Sequence, residues 1–265
     1  MATERPLPNL WHATAPTAPE TAPLTGDLTC DVAIIGGGFT GLSAALHLAE
    51  MGVKAAVIEA RMIGYGGSGR NVGLVNAGMW VKPEDLIATL GNEAGNRLLN
   101  ELGDGPSFVY DLVDKHGMEC EAVRNGTLHM AVGAEGLKDI QEREAQWRKR
   151  GAPVEVLSAE KAQALSGADG FAGALLDRRA GTIQPLAYAR GLARAALAAG
   201  AEIFTDTPLL AAERKGDLWR LKAGQGTVTA RHVIVATNAY GAMVDSVPWK
   251  AQTQELTILP FFQFA

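Results

Sequence analysis

The 265 residues carry a formal net charge of −5 at pH 7, so the chain has no excess of basic side chains to neutralise nucleic-acid phosphates. Hydrophobic residues make up 47% and charged residues 20%, which is the composition of a globular protein with an ample core. No apolar run in the sequence reaches the length of a membrane-spanning helix. We therefore expect no nucleic-acid partner and no membrane span.

Cysteine and histidine are too few and too scattered to suggest a metal site. The two cysteines, Cys30 and Cys120, form no C-x-x-C pair, and the five histidines occur singly. Two ordinary thiols fit a reducing compartment, with a single disulfide between them as the alternative. Residues 1–29 are rich in Pro, Thr and Ala and lack the basic start and apolar core of a signal peptide. We expect no metal and a cytoplasmic protein with an irregular amino-terminal arm. Trp11 is the residue able to anchor the arm by burial, and a disordered arm is the alternative.

The stretch at 30–60, CDVAIIGGGFTGLSAALHLAEMGVKAAVIEA, predicts a strand, a helix and a second strand of a parallel sheet. Residues 32–35 form a continuous apolar run, which indicates a strand covered on both faces. Apolar residues recur at helical spacing over 42–49, and Gly52 then ends the helix. A second apolar run at 55–58 completes the unit.

The turn between this strand and helix has the glycine spacing of a dinucleotide-binding site. Gly36 permits the tight turn, Gly38 lets a pyrophosphate approach the backbone, and Gly41 lets helix and strand pack closely. The N–H groups at the helix start can bind phosphates, and Glu59 can accept hydrogen bonds from a ribose diol. With 31 glycines in the chain the spacing alone is weak, but strand, helix and acid together predict dinucleotide binding over a purely structural unit.

The rest of the chain predicts an inserted segment and a return to the sheet. Residues 80–117 show helical periodicity, and short apolar segments then alternate with a charged helix at 136–150 and a helix that Ser158 can cap. After Gly181 the strand and helix pattern resumes, with Pro185 in a first helical turn. A hairpin and then a buried parallel strand are expected up to Ala236.

Four segments give the chain a resemblance to a known family. They are IIGGGFTGLSAALHLAE at 34–50, GGSGRNVG at 66–73, GTIQPLAYARGLARAA at 181–196 and VIVATNAY at 233–240. In this order they resemble the FAD-dependent D-amino-acid oxidase superfamily, and the resemblance spans most of the chain. The glycine spacing is shared with nicotinamide enzymes, whereas SGRNVG joined to ATNAY is more specific.

The resemblance implies a fold class and a division of the chain. The fold would be α/β, a Rossmann-like FAD-binding domain with a parallel sheet that is discontinuous in sequence, plus an inserted α+β substrate domain. Family members run well past this length, so we expect the sequence to be truncated at its carboxyl end. The implied divisions are an arm at 1–29, FAD-binding parts at 30–80 and 181–245, a substrate-domain part at 81–180, and the start of a substrate-domain sheet at 246–265.

The resemblance also implies where FAD would bind. The glycine turn would hold the pyrophosphate, the residues around the acid the adenosine ribose, and a glycine-rich loop the ribityl chain and isoalloxazine ring. The backbone of a later strand would contact the adenine, and the end of the returning strand would close over the cofactor. The implied cofactor-binding residues are Gly36, Gly38, Phe39, Thr40, Gly41, Glu59, Ala60, Arg61, Ser68, Gly69, Arg70, Asn71, Val72, Gly73, Leu209, Ala236, Thr237 and Asn238. Arg70 and Asn71 are candidates for tuning the flavin, and no catalytic acid or base is implied. Some members of the family attach the flavin covalently through a histidine near this loop. No histidine lies between His47 and His116 here, so we expect non-covalent binding.

The activity implied by the resemblance is oxidation of a primary or secondary amine or an amino acid. A hydride would pass to flavin N5, water would hydrolyse the resulting imine, and O2 or another acceptor would take the electrons. The sequence leaves three alternatives open: a flavin dehydrogenase that passes electrons to a quinone or partner subunit, a non-catalytic FAD-binding fragment, and a nicotinamide enzyme.

Overall fold

The computed structural model describes residues 9–244 and 246–249. The chain divides into two compact units, the first made of the described parts of Met1–Val72, His116–Cys120 and Gln184–Ala265, and the second of Gly73–Lys115 and Glu121–Ile183. The apolar strand expected in ELTILPFFQFA at 255–265 lies outside the described residues. In chain order the helices and strands are α1 (Leu10–Thr14), β1 (Leu28–Ile35), α2 (Phe39–Glu50), β2 (Ala55–Ile58), β3 (Leu74–Val75), α3 (Pro83–Leu90), α4 (Asn92–Lys115), β4 (Thr127–Ala131), α5 (Gly133–Lys149), β5 (Val154–Ser158), α6 (Ala159–Ser166), β6 (Gly173–Asp177), β7 (Gly181–Thr182), α7 (Pro185–Ala198), β8 (Glu202–Phe204), β9 (Leu209–Lys215), β10 (Leu218–Ala223) and β11 (Gly226–Val235).

The first unit is built on a six-stranded sheet with the order β8-β2-β1-β11-β10-β9. The four strands from β8 to β11 in this order run parallel to one another, and β9 and β10 are added as antiparallel strands. β8 and β11 come from the carboxyl-terminal part of the chain and flank β1 and β2, so the sheet is discontinuous in sequence. The predicted α/β class with a parallel sheet is confirmed.

The sequence predicted the second strand of a hairpin and then a separate buried strand, and in the structure these two are one strand, β11. Its first half pairs antiparallel with β10, and residues 228–235 pair parallel with β1. Exposed Arg231 and His232 interrupt the apolar pattern, but the backbone pairing continues through them, with His232 opposite Val32. The prediction of two strands was therefore wrong, because backbone hydrogen bonds do not depend on side-chain polarity. The predicted burial of Val233 to Ala236 is also wrong, since Val235 is exposed and the other three residues are only partly buried.

The helices of the first unit bury the faces that their sequences predict. In α2 the buried residues recur at helical spacing, and α7 begins at Pro185 as expected. α7 is buried along most of its length because small residues, chiefly alanine, let it lie close to its neighbours. The Phe39 and Tyr188 rings meet edge to face, with their centroids 5.2 Å apart, and join the starts of the two helices.

The second unit contains a three-stranded antiparallel sheet, β4-β6-β5, the short β3-β7 pair, and helices α3 to α6. Its core includes Leu99, Ile140 and Trp147. Ser158 caps α6 as predicted, since its hydroxyl accepts a hydrogen bond from the Lys161 N–H. In the part of the chain that the structure describes, no helix is both long and apolar enough to cross a membrane.

Candidate cofactor site

The glycine turn after β1 has a backbone shape that only glycine adopts readily. Gly36 has a φ of +110°, and its N–H donates to the Ile58 carbonyl at 2.9 Å. A Cβ atom on Gly36 would lie 2.6 Å from the carbonyl oxygen of Ala236, which directly follows β11. The Ala236 N–H in turn donates to the Ile35 carbonyl at 2.8 Å. The turn and the end of the returning strand are therefore in contact.

The amino end of α2 lies close to the loop that contains Ser68, and the space between them admits only small residues. Gly38 is the N-cap residue and supplies no side-chain cap, and a Cβ on it would lie 2.8 Å from the Ser68 hydroxyl. That hydroxyl accepts a hydrogen bond from the Phe39 N–H at 3.0 Å. A Cβ on Gly41 would lie 2.0 Å from the Gly36 carbonyl oxygen, so helix and turn approach more closely than any other residue permits. A helix start of this kind attracts an anion to its N–H groups.

Glu59 follows β2, and backbone donors hold its carboxylate. The Gly37 N–H donates to Oε2 at 2.6 Å and the Arg61 N–H donates to Oε1 at 2.8 Å. Burial raises the pKa of Glu59 above its usual range, although the N–H groups of Gly37 and Arg61 oppose this shift, and the nearby Asp206 carboxylate adds to it. Each carboxylate oxygen has a further lone pair with which to accept a ribose hydroxyl.

The side chains of Arg70 and Asn71 bind the backbone of their own loop. The Arg70 guanidinium donates to the Tyr65 carbonyl through Nε at 2.7 Å and also through Nη2, and lies 4.7 Å from the centroid of the Tyr65 ring. Asn71 Nδ2 donates to the carbonyls of Gly67 and Ser68 at 3.1 and 3.0 Å. These bonds shape the loop around its short 3₁₀ turn at Gly67–Gly69.

The remaining candidate residues lie on segments that approach this site or its edges. The N–H of Thr207 donates to the Glu59 carbonyl and that of Asp206 to the Arg61 carbonyl, both at 2.8 Å, which brings the chain to Leu209 at the start of β9. The Leu209 side chain is buried in the core, so its backbone is the part left to bind a ligand. Asn238 has a left-handed φ of +48° just after β11. All the candidates lie in the first unit except Gly73, which the division assigns to the second.

Sequence reasoning missed Gln184, whose side chain is among the most buried polar groups of the described residues. Its exposed fraction is 2%, and it caps α7 by accepting the Ala187 N–H at 2.7 Å. Its amide also donates to the Trp11 carbonyl at 2.8 Å. The available signal was a polar residue placed directly before Pro185 at the start of an apolar helix.

The residues of the glycine turn fit the polar parts of FAD. The amino end of α2 offers N–H groups for a pyrophosphate, and the oriented carboxylate of Glu59 offers acceptors for a ribose diol. Parallel strands β1 and β2 carry these groups at their carboxyl ends, where open α/β sheets bind ligands. The first unit is therefore a dinucleotide-binding fold. Among the described residues no group of three His, Cys, Asp or Glu side chains could hold a metal ion.

Comparison with known proteins identifies the family. A family model described as FAD dependent oxidoreductase (DAO) matches residues 31–262, and the chain belongs to this family of FAD-dependent oxidoreductases. It is 34% identical over 220 residues to gamma-glutamylputrescine oxidoreductase of Escherichia coli (strain K12), covering 82% of this chain and 51% of that protein. It is also 28% identical over 223 residues to glycine oxidase of Bacillus licheniformis, covering 82% of this chain and 56% of that protein.

Solved structures show the same fold. Glycine oxidase from Geobacillus kaustophilus matches with a TM-score of 0.68 and 25% identity, over 81% of this chain and 57% of that one. L-Amino acid deaminase from Proteus myxofaciens matches with a TM-score of 0.70 and 20% identity, over 87% of this chain and 50% of that one. The chain thus spans about half the length of the relatives that it matches.

Proposed function

We propose that the first unit binds FAD non-covalently at the glycine turn, and that the protein oxidises a primary or secondary amine or an amino acid. The observation that carries the proposal is the pairing of the α2 start, whose N-cap Gly38 has no side chain to bind the helix N–H groups, with the oriented Glu59 carboxylate on one turn. FAD, when bound, supplies the acceptor for a hydride from the carbon beside the amine nitrogen, after which water hydrolyses the imine. The second unit would begin the substrate domain.

The residues of the first unit would bind and orient the cofactor. The N–H groups at the start of α2 would hold the pyrophosphate, and Glu59 the adenosine ribose. The backbone at Leu209 would contact the adenine, and the loop at 68–73 would run beside the ribityl chain and ring. Arg70 would add a positive charge near the ring, which favours electron-rich flavin.

The names of the relatives suggest the substrate class. Gamma-glutamylputrescine and glycine appear in the names of proteins to which this chain is 34% and 28% identical. Both compounds carry an amine on a carbon that has hydrogen to lose, which is what the proposed oxidation requires. Oxygen is the proposed electron acceptor, and a quinone or a partner subunit is the alternative. The yield of peroxide per amine consumed distinguishes them.

The first experiment is a visible absorption spectrum of the purified 265-residue chain after incubation with FAD and removal of free cofactor. We expect a yellow protein whose flavin absorption is lost anaerobically on adding one member of an amine panel that includes gamma-glutamylputrescine, glycine, sarcosine and D-amino acids. A colourless protein that takes up NAD instead would contradict the flavin proposal.

A second reading, an FAD-binding portion without catalysis of its own, is favoured by the coverage of about half of each relative. In that case the chain would stay yellow with every amine in the panel. Amine turnover by the purified chain alone would exclude this reading.

A further inference from the structure

Within the amino-terminal arm, residues 9–24 run along the first unit, and Leu24 alone among them is buried in its core. This segment starts with α1, a single short helix in which no residue is buried. Asn9 caps it by accepting the His12 N–H at 3.0 Å. Burial of hydrophobic side chains therefore does not hold this end of the arm, and hydrogen bonds to the rest of the unit must do so.

The first anchor of the arm is at the loop that carries Asn71. The indole N–H of Trp11 donates to the Asn71 carbonyl at 3.0 Å. The carbonyl of Trp11 accepts a hydrogen bond from Gln184 Nε2 at 2.8 Å, and the Thr14 hydroxyl lies 3.1 Å from the same nitrogen. Because the other end of the Gln184 amide caps α7 through the Ala187 N–H, this side chain ties Trp11 to a buried helix.

Further anchors follow along the arm. Arg190 Nη1 and Arg194 Nη2 of α7 donate to the carbonyls of Pro16 and Thr17 at 2.6 and 2.7 Å. The Leu24 N–H donates to the Thr207 hydroxyl at 3.0 Å, in the segment whose backbone also binds that of Glu59. The arm therefore spans from the loop at 68–73 to the segment beside Glu59.

The loop at 68–73 needs such support because glycine is frequent within and around it. Gly66, Gly67, Gly69 and Gly73 leave the backbone many conformations, and fixing each residue costs about 1–2 kcal/mol of conformational entropy. The bonds from Arg70 and Asn71 go to carbonyls of nearby residues in the chain and hold the shape of the loop. The Ser68 hydroxyl connects the start of the loop to α2, and the indole of Trp11 connects the loop at Asn71 to the arm. A tryptophan side chain has few rotamers, so it provides this connection at a low cost in entropy.

We propose that Trp11, held in place by Gln184, is a positioning residue that fixes the Asn71 loop for the flavin end of FAD. This inference rests on the proposed FAD site and adds to it a segment that precedes the family match at 31–262. In this role Trp11 acts through the Asn71 carbonyl. The groups that orient Glu59 come from Gly37 and Arg61, so we expect binding of the adenosine end not to depend on this hydrogen bond.

The test compares the affinities of Trp11→Phe and the wild type for FAD and for ADP, which lacks the flavin. Phenylalanine keeps a ring at the position but removes the N–H. We expect FAD affinity to fall about fivefold, the effect of one neutral hydrogen bond, while ADP affinity stays unchanged. The visible absorption and circular dichroism of the bound flavin should shift as well. Trp219→Phe is the matched control, because it makes the same substitution on β10, outside both the arm and the loop at 68–73. The Trp219 ring lies 5.9 Å from that of Trp249.

Gln184→Glu provides a second variant. The carboxylate still accepts the Ala187 N–H but cannot donate to the Trp11 carbonyl, so the same loss confined to FAD is expected. Unchanged FAD affinity and spectra in Trp11→Phe would overturn the inference and leave the FAD site standing. Parallel losses of FAD and ADP affinity would also overturn it, since the arm would then stabilise the whole unit. Failure of the wild type to bind FAD would overturn the proposed function itself.

Discussion

Glu59 is held by donors from both of its neighbouring segments before any ligand binds. The Gly37 N–H comes from the glycine turn and the Arg61 N–H from the chain just after the acid. Two oriented bonds remove the rotamer freedom that a free glutamate would lose on binding a ribose. The carboxylate would therefore be preorganised for the ribose that we propose it binds, and burial raises its pKa as a consequence of the same enclosure.

Replacing Glu59 with Gln should lower FAD affinity by about tenfold or more, because hydrogen bonds to a charged group are worth about 1.5–3 kcal/mol. The glutamine amide would also turn an NH₂ group toward one of the two backbone donors. Titration of FAD into each variant, followed by flavin fluorescence, measures the change. Glu213→Gln on the exposed part of β9 is the control, and equal affinities of the two variants would argue against the ribose role.

At the scale of elements, the packing of α2 against the turn after β1 decides whether the site exists. Gly41 of α2 lies against the Gly36 carbonyl, and the end of β11 closes the other side of the turn at Ala236. Helix, turn and returning strand approach one another through backbone atoms. Any added side chain must displace the backbone, which cannot move as a flexible side-chain tip can.

Gly41→Ala should therefore destabilise the protein by about 3 kcal/mol, since the new Cβ would lie 2.0 Å from a backbone oxygen. Thermal or urea unfolding of the protein without FAD measures this effect separately from ligand binding. Gly67→Ala is the matched control, because a Cβ there meets no atom within 4 Å. A Gly41→Ala protein as stable as this control would contradict the close packing of helix and turn.

At the scale of the whole molecule, the candidate site draws on stretches of the chain that are far apart in sequence. The glycine turn and Glu59 come from the first strands, while Leu209 and Ala236 come from the last. A ligand that binds this assembled site binds only the folded first unit. Its binding free energy therefore adds to the stability of the fold.

FAD at 100 times its Kd should raise the free energy of unfolding by about 2.7 kcal/mol and raise Tm accordingly. Differential scanning fluorimetry across an FAD concentration series measures the shift. The readout should need no added dye and should be recorded at wavelengths where the flavin does not emit. NAD at the same concentrations is the control ligand, since it shares the adenosine and pyrophosphate but lacks the flavin. A larger shift with NAD than with FAD would favour the nicotinamide alternative.

The sequence predicted the local units well, because each rests on short-range physical rules. Apolar runs predicted β1 and β2, glycine spacing predicted the turn, and Pro185 predicted the start of α7. It failed at β11, where pairing on both edges, with β10 and β1, keeps one strand intact across two polar residues. It also left the arm undecided between an anchored and a disordered segment, since its partners Asn71 and Gln184 lie 60 or more residues away.

By itself the sequence determined the α/β class, because glycine conformation, apolar periodicity and the carboxyl-end acid act over a few tens of residues. The FAD-dependent family followed from the resemblance carried by SGRNVG and ATNAY. Only the tertiary structure decided which groups meet. It placed Ala236 against Gly36, fixed both oxygens of Glu59 and linked Trp11 through Gln184 to α7. Contacts between distant segments follow from how sheets and helices close around a shared core, and no local pattern of residues encodes them.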